Sequence, residues 1–369
     1  MAEQQTYKKV IIAGGGTGGH IFPAIAIAHA LQRQWPGVKL LFVGALGKME
    51  MEQVPKAGFE IIGLDIAGFN RSNIFKNWSL PFKLIQSRAK ALRILKDFRP
   101  DAVVGVGGYA SFPMLSAAQK MGMPTLIQEQ NSFAGKSNKI LGRKAKAICV
   151  AYEGMERFFP KEKITMTGNP VRHVIANSTV SQAEGLAAFG LDGQKKTLLI
   201  VGGSLGARSI NQAIKAGLSK LAELNLQVIW QTGKLFFEEA KAAVAEQYEN
   251  VLVKDFIAHM EYAYAAADVV ISRAGALASA ELCIAARPVI FVPYPYAAED
   301  HQTSNAMALV NHNAALMVKD NEVQQELISK LEHLLTDERM QDIMSEELKQ
   351  LAIKDADDRI AKKISEIIE

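Results

Sequence analysis

Cysteine is nearly missing from this chain: Cys149 and Cys283 are the only two in 369 residues. They stand far apart in apolar surroundings, so neither a disulfide framework nor a thiolate metal site is available. The seven histidines are scattered, with no His-x-x-x-His spacing. The one Asp-x-Asp, Asp355-Ala356-Asp357, falls in a helical pattern and reads as a solvated face. No protein-held metal is therefore expected. A run of about 18 apolar residues is also lacking, and the polar start MAEQQTYKKV is unlike a signal peptide. A cytoplasmic chain that does not span a membrane is expected.

What is present is ordinary for a folded protein. Hydrophobic residues make up 49% and charged residues 22%, a balance that excludes disorder. The length is roughly two to three times that of one domain, which predicts two. Charge is unevenly spread. Met1 to Arg172 holds 24 Lys and Arg against 11 Asp and Glu, and the remainder holds 18 against 27. The halves carry +13 and −9, which sum to the net +4. The basic half is expected to face something anionic, such as nucleic acid, a membrane surface or a phosphorylated substrate.

Short apolar runs alternate with helical patterns from end to end. Lys8–Ala13, Leu40–Gly44, Ala102–Gly105, Thr125–Glu129 and Ala147–Val150 read as strands buried on both faces. Thr197–Val201, Gln227–Gln231, Val251–Lys254, Val269–Ser272 and Pro288–Val292 repeat the pattern in the second half. This alternation predicts α/β architecture with two doubly wound parallel sheets. The boundary is placed after Gly168-Asn169-Pro170, giving domains 1–170 and 171–349. Val171–Lys196 is expected to hold a hinge and one helix, and Met340–Glu369 reads as amphipathic helix, its segment 350–369 packing back on the first domain.

Three strand–glycine–helix junctions carry the chemistry: VIIAGGGTGGHIFPAIAIAHAL, VVGVGGYASFPMLSAAQ and LLIVGGSLGARSINQAI. In each, glycine permits a tight turn and a close backbone approach, and the helix that follows points free N–H groups outward, which suits a phosphate or diphosphate. Gly14, Gly16 and Gly19 also match the dinucleotide fingerprint G-x-G-x-x-G. That motif needs an acid at the end of the second strand, where this chain has Gly44 and Ala45; Glu50 and Glu52 lie too far along. A nicotinamide cofactor is therefore not expected.

Further candidates cluster at strand ends. His20 sits at a helix N-terminus, where the positive dipole end disfavours imidazolium, so it is expected to be neutral and able to accept a proton. Gln128-Glu129-Gln130-Asn131 is a polar cluster closing a buried strand. Glu281 lies among apolar helix neighbours and could accept two ribose hydroxyls. Glu299-Asp300-His301-Gln302 could recognise sugar hydroxyls.

Taken in order, GGGTGGHIFPAIAIA, VGVGGYASFP, QEQNSFAGKSNK, GNPVR, GGSLGAR, DFI, SRAGALASAE and EDHQTSNA closely resemble the MurG family, the N-acetylglucosaminyltransferases that complete lipid II in bacterial peptidoglycan synthesis. The likeness runs from about Val10 to Ala306. It implies the GT-B fold, two Rossmann-like domains facing a cleft. It also implies UDP-N-acetylglucosamine as donor substrate, with no tightly bound cofactor, and lipid I as acceptor. By matching motif, Ser204 should hold the donor diphosphate with help from Arg172, Ile257 should contact uracil, and Glu281 the ribose. Gln302 should meet the sugar hydroxyls, with Ala276, Leu277, Ala278, Ser279 and Ala280 lining the same side. Thr17, Gly18, Gly19 and Asn131 should reach the sugar from the first domain, and Gly15, Gly16, Gly107, Gly108 and Tyr109 the acceptor diphosphate. His301 precedes Gln302 where a family variant has a second glutamine.

The implied reaction is an inverting displacement, with His20 as base and Glu129 as the alternative. Independently of the resemblance, Arg71 to Arg99 holds eight basic residues and one acid, interleaved with Ile74, Phe75, Trp78, Leu80, Phe82, Leu84 and Ile85. Such a segment reads as a contact with an anionic membrane surface, and the location it suggests is the cytoplasmic face of the cell membrane. No nucleic-acid partner is expected. Competing readings are a UDP-N-acetylglucosamine 2-epimerase, which gives the basic segment no purpose, and a non-catalytic nucleotide-sugar-binding protein, which gives His20 none.

Overall fold

Runs of Val, Ile and Leu bounded by glycine turns become parallel strands buried on both faces, and the helices between them cover those faces. The computed structural model describes residues 7–66, 80–203, 205–244 and 247–369. The chain divides into two units, Met1–Arg172 with Asp355–Glu369, and His173–Lys354.

The first unit runs β1 (Lys9–Ala13), α1 (Gly18–Gln34), β2 (Lys39–Ala45), α2 (Glu50–Lys56), β3 (Ile61–Leu64), α3 (Leu80–Phe98), β4 (Ala102–Gly105), α4 (Ser111–Lys120), β5 (Thr125–Glu129), α5 (Lys136–Gly142), β6 (Ala147–Val150) and β7 (Ile164–Met166). Its seven strands are all parallel, in the order β3-β2-β1-β4-β5-β6-β7. Alternation along β1 sends Ile11 and Ala13 into a core shared with α3 and α4, and Val10 and Ile12 into a core shared with α1.

The second unit opens with α6 (His173–Ala176) and α7 (Gln182–Phe189). Ser181 and Glu184 form a reciprocal capping box at the start of α7, and Gly190 closes it in the left-handed conformation. There follow β8 (Thr197–Val201), α8 (Arg208–Ala216), α9 (Leu218–Glu223), β9 (Gln227–Gln231), α10 (Phe237–Val244), β10 (Val251–Lys254), α11 (Met260–Ala266), β11 (Val269–Ser272) and α12 (Ala276–Ala285). The unit ends with β12 (Val289–Phe291), α13 (His301–Val310), β13 (Leu316–Met317), α14 (Val323–Thr336) and α15 (Glu338–Leu351). Its parallel sheet has the order β10-β9-β8-β11-β12-β13.

Every strand predicted from sequence is present. The edge strands β3, β7 and β13 are additional, being too short or too mixed to register as apolar runs. The C-terminal stretch differs from expectation: it is two helices. Met344 and Leu348 of α15 enter the cores of the second unit, while α16 (Ala356–Ile368) packs Ile360, Ala361 and Ile364 into the first, against α1. The Asp-x-Asp pattern is not simply solvated either, since Asp357 and Asp358 bond Arg33 of α1 at 2.7 and 2.8 Å. The thiols of Cys149 and Cys283 are each pushed up to about 12 by burial, which leaves both inert.

Candidate active site

Strand order reverses in each sheet at one point, between β1 and β4 in the first unit and between β8 and β11 in the second. Ligands of open α/β sheets bind at such switch points, beyond the carboxyl ends of the strands. The first and second glycine turns follow β1 and β4. The third follows β8, and Arg273-Ala274-Gly275 follows β11. All the turns singled out in the sequence thus lie at a switch point.

In the first unit the two turns grip one another. Gly15 N–H donates to Gly107 O at 3.2 Å, and Ser111 Oγ–H donates to Ala13 O at 2.7 Å. Gly14 N–H donates to Val43 O, and Gly16 N–H donates to the Glu50 carboxylate at 2.8 Å. The N–H groups of Gly15 and Gly16 thus bond inward and are already taken. Gly108 is half-buried and Tyr109 exposed at the rim of the second turn. Thr17 caps α1 in extended conformation, and Gly18, Gly19 and His20 form the first helical turn. His20 Nδ1 lies 3.1 Å from Thr17 Oγ1. Its ring rests on Gly107, where a Cβ would stand 2.7 Å from Cδ2 and 2.8 Å from Nε2. Only glycine at 107 leaves the imidazole its seat.

Glu129 ends β5 at 2% exposure. Asn131 N–H and Nδ2–H donate to its Oε1 at 3.1 and 3.4 Å, while Gly135 N–H and Asn138 Nδ2–H donate to Oε2 at 3.1 and 2.8 Å. Burial pushes its carboxyl above the ordinary range, against the pull of these donors. A carboxylate so committed holds the loop from 130 to 138. To accept a substrate proton it would have to give up a loop bond. Beneath it Gln128, Gln130 and Asn169 form a buried ladder: Gln130 Nε2 donates to Val106 O and to Gln128, Gln128 Nε2 to Asn169, and Asn169 Nδ2 to Gln130 O.

In the second unit Ile257 lines a depression of about 440 Å³ with Phe189, Lys254, Phe256, His259 and Tyr262. Glu281 is buried on α12, and Tyr264 O–H donates to its Oε2 at 3.1 Å. Leu277, Ala278 and Ala280 are half-buried along the same helix, and Ala276 is buried. Ser279 faces inward. Its N–H donates to Gly275 O, and its hydroxyl is buried at 1% exposure with no hydrogen-bond partner, on the inner face with Leu282 and Cys283. Gln302 Oε1 accepts Tyr294 N–H at 3.0 Å. His301 Nδ1 donates to Ala298 O at 2.6 Å, after two successive left-handed residues, Glu299 and Asp300, with φ of +54° and +51°. Backbone held in this region costs roughly 1–3 kcal/mol per residue and concentrates at functional positions. Arg172 is half-buried, and Ser204 lies outside the described residues.

Two organising groups went unseen in the sequence. Glu50 is one; its distance along the chain hid that α2 folds it back to the first turn. Arg273 is the other, at 12% side-chain exposure. Its Nη1 donates to Val292 O (2.9 Å), Pro293 O (3.1 Å) and Asp320 Oδ1 (2.6 Å), and its Nη2 to Ser209 Oγ (2.9 Å). The group ties the ends of β11 and β12 to the start of α8. Asn305 Nδ2–H adds a bond from α13 to Ala274 O.

Comparison with known proteins gives the family. The glycosyltransferase family 28 N-terminal domain matches residues 10–150, and its C-terminal domain residues 197–360. A UDP-N-acetylglucosamine–N-acetylmuramyl-(pentapeptide) pyrophosphoryl-undecaprenol N-acetylglucosamine transferase of Phocaeicola vulgatus is 53% identical, covering 96% of this chain and 95% of its own. The crystal structure of MurG from Acinetobacter baumannii superposes with a TM-score of 0.80 at 32% identity, over 97% of this chain and 99% of the other. A UDP-N-acetylglucosamine 2-epimerase shares the fold alone, with a TM-score of 0.62 at 13% identity, over 97% and 96% of the two chains. The chain belongs to the MurG family of N-acetylglucosaminyltransferases, within glycosyltransferase family 28.

Proposed function

We propose that the first unit carries the acceptor and the base of the transfer reaction, and that the second unit carries the donor. The chain is a hexosyltransferase: N-acetylglucosamine passes from UDP-N-acetylglucosamine to the N-acetylmuramyl sugar of undecaprenyl-diphosphate-linked lipid I, giving lipid II. UDP-N-acetylglucosamine enters as a substrate, not as a resident cofactor. One observation carries the division of roles, namely the opposite chemistry of the two switch points. In the first unit an acid occupies the turn, and Glu50 already takes the Gly16 N–H. In the second an acid at this end of the sheet, Asp320, is paired with Arg273. The donor diphosphate is favoured where no uncompensated carboxylate competes for the helix-start N–H groups, and the acceptor's own diphosphate is left to the rim of the second turn, at Gly108 and Tyr109.

On this reading the uracil sits over Ile257, and Glu281 accepts from the ribose hydroxyls. Arg172 and Ser204 hold the diphosphate, and Gln302 meets the sugar. The acceptor's 4-hydroxyl oxygen attacks the anomeric carbon, the bond from that carbon to the β-phosphate oxygen breaks, and UDP leaves with the electron pair. Configuration inverts from α to β. The hydroxyl proton goes to His20 Nε2, which requires that Nδ1 carry the ring's own proton and donate it to Thr17 Oγ1. Glu129 supports the base indirectly by holding the neighbouring loop. UDP release measured with and without a short-chain lipid I analogue, followed by the mass of the lipid product, tests the reaction. Release that depends on acceptor and adds one N-acetylhexosamine is the expected result, and acceptor-independent release refutes it.

The acceptor is lipid-bound, so a membrane-facing surface belongs to the same proposal. On α3, Leu84 and Ile85 are exposed beside Arg88, Arg93 and Lys96, while Ala91, Ile94 and Leu95 face the core. Residues 71–79 of the basic segment lie outside the described residues. Among the described residues no helix is long and apolar enough to cross a membrane. Contact from one side fits a peripheral enzyme at the cytoplasmic face. Binding to anionic vesicles should weaken steeply as salt rises, each basic residue near the surface contributing about 1 kcal/mol at low salt. Binding indifferent to salt would rule this surface out.

A further inference from the structure

We infer that Glu50 is a positioning residue for the transfer reaction, fixing the first glycine turn so that Thr17 and His20 are held in register; this rests on the base assignment above. Glu50 is the first residue of α2 and is 1% exposed. Its Oε2 accepts Gly16 N–H at 2.8 Å and its Oε1 accepts Ala45 N–H at 2.9 Å, so one carboxylate bridges the end of β2 and the turn after β1. Space for it is built into two other elements. A Cβ on Gly44 would stand 2.5 Å from Glu50 Cγ, and one on Gly15 would collide with the carboxylate itself. Burying a charge is costly unless hydrogen bonds satisfy it, and here both oxygens are satisfied by backbone donors.

The peptide next to that bond leads directly to the base. Gly16 precedes Thr17, whose carbonyl accepts the N–H groups of His20 and Ile21 at 3.0 and 3.2 Å and whose Oγ1 meets His20 Nδ1. On the other side, Gly15 N–H clamps the turn to Gly107, the residue against which the His20 ring rests. Glu50 therefore sets the height of the turn on which both ends of the imidazole depend. Misplacement of a reacting group by 1 Å costs on the order of 100-fold in rate.

The test compares full-length wild type with Glu50→Gln, Gly44→Ala, their combination, and Glu52→Gln, an exposed acid on the same helix. Turnover is followed with UDP-N-acetylglucosamine and a short-chain lipid I analogue, and UDP affinity by calorimetry. The amide of Glu50→Gln can accept only one of the two N–H groups, and Gly44→Ala displaces the carboxylate without altering its charge. Each should lower kcat by about 30- to 100-fold with UDP affinity within about twofold of wild type. The combination should be no worse than the weaker single variant, because both break the same contact. Glu52→Gln should match wild type. Turnover within about threefold of wild type in Glu50→Gln overturns the proposal, as does a parallel loss of UDP affinity, which marks general damage. If wild type itself shows no acceptor-dependent release, the reaction assignment fails and this inference falls with it.

Discussion

The two units share a topology and a switch point, yet they brace their ligand-facing turns in opposite ways. The first uses buried carboxylates: Glu50 accepts from Gly16 and Ala45, and Glu129 from Asn131, Gly135 and Asn138. The second uses a guanidinium, Arg273, donating to the carbonyls of Val292 and Pro293 and to Asp320. A carboxylate consumes N–H groups at a strand end, whereas an arginine consumes carbonyls and leaves N–H groups to a ligand. One scaffold thereby gives its two switch points different chemistry, with N–H groups taken at the first and carbonyls taken at the second.

Removing the proposed base should break the comparison most severely. His20→Ala is expected to lower turnover by about 10²–10⁴-fold while UDP affinity stays as in wild type. Gly107→Ala should approach that loss by a different route, since its new methyl enters the seat of the ring and its φ of +89° is strained for any side chain. Steady-state kinetics alongside UDP titration separates the two quantities, and near-normal turnover in His20→Ala would refute the assignment.

On the other side, Arg273→Ala strips Asp320 of its cation, leaving it the Ser209 hydroxyl, and two carbonyls of a donor. Losing one partner of a largely buried pair should cost about 2–4 kcal/mol, read from the urea midpoint, and should raise the KM for donor more than that for acceptor. An unchanged midpoint would mean the arginine brace contributes nothing. A smaller effect is expected at the ribose. Glu281→Ala should weaken UDP by about 10- to 100-fold through loss of charge-assisted bonds, with acceptor KM unmoved. Tyr264→Phe removes only the 3.1 Å bond that steadies Glu281 and should cost a few-fold at most by calorimetry.

The scaffold was legible in the sequence, and the braces were not. Strands buried on both faces leave continuous apolar runs such as VIIA and VVGVGG, and their glycine turns mark the ligand end of each sheet. His20 could be singled out as a candidate because its position, three residues past the N-cap threonine, is local information. Glu50 could not, because the fingerprint sets the acid at the strand end, and here α2 turns a residue five positions beyond Ala45 back onto the turn. Arg273, Ser209 and Asp320 are separated by 64 and 47 residues, and only the folded sheet joins them. The inward setting of Ser279 was not legible either: it stands inside a matching motif, and helical periodicity turns it to the core with Leu282.

The last distinction between the units is their response to pH. Burial holds the Glu129 carboxyl above its ordinary range, so the native state grips this proton more tightly than the unfolded chain does. Between the ordinary carboxylate value and the raised one, the folded protein binds more protons than the unfolded. Stability must then fall as pH rises through that window, by up to about 1.4 kcal/mol per pH unit for one proton. Glu129→Gln has no proton to lose, and its urea midpoint should run flat over the window where wild type declines. The amide still offers Oε1 to Asn131 while setting a donor against Gly135 and Asn138, so below that window the variant should be less stable than wild type by about 1–2 kcal/mol. The two curves should therefore converge toward higher pH. Parallel curves would mean that Glu129 titrates alike in both states, and that the carboxylate brace of the first unit carries no burial penalty to distinguish it from the arginine brace of the second.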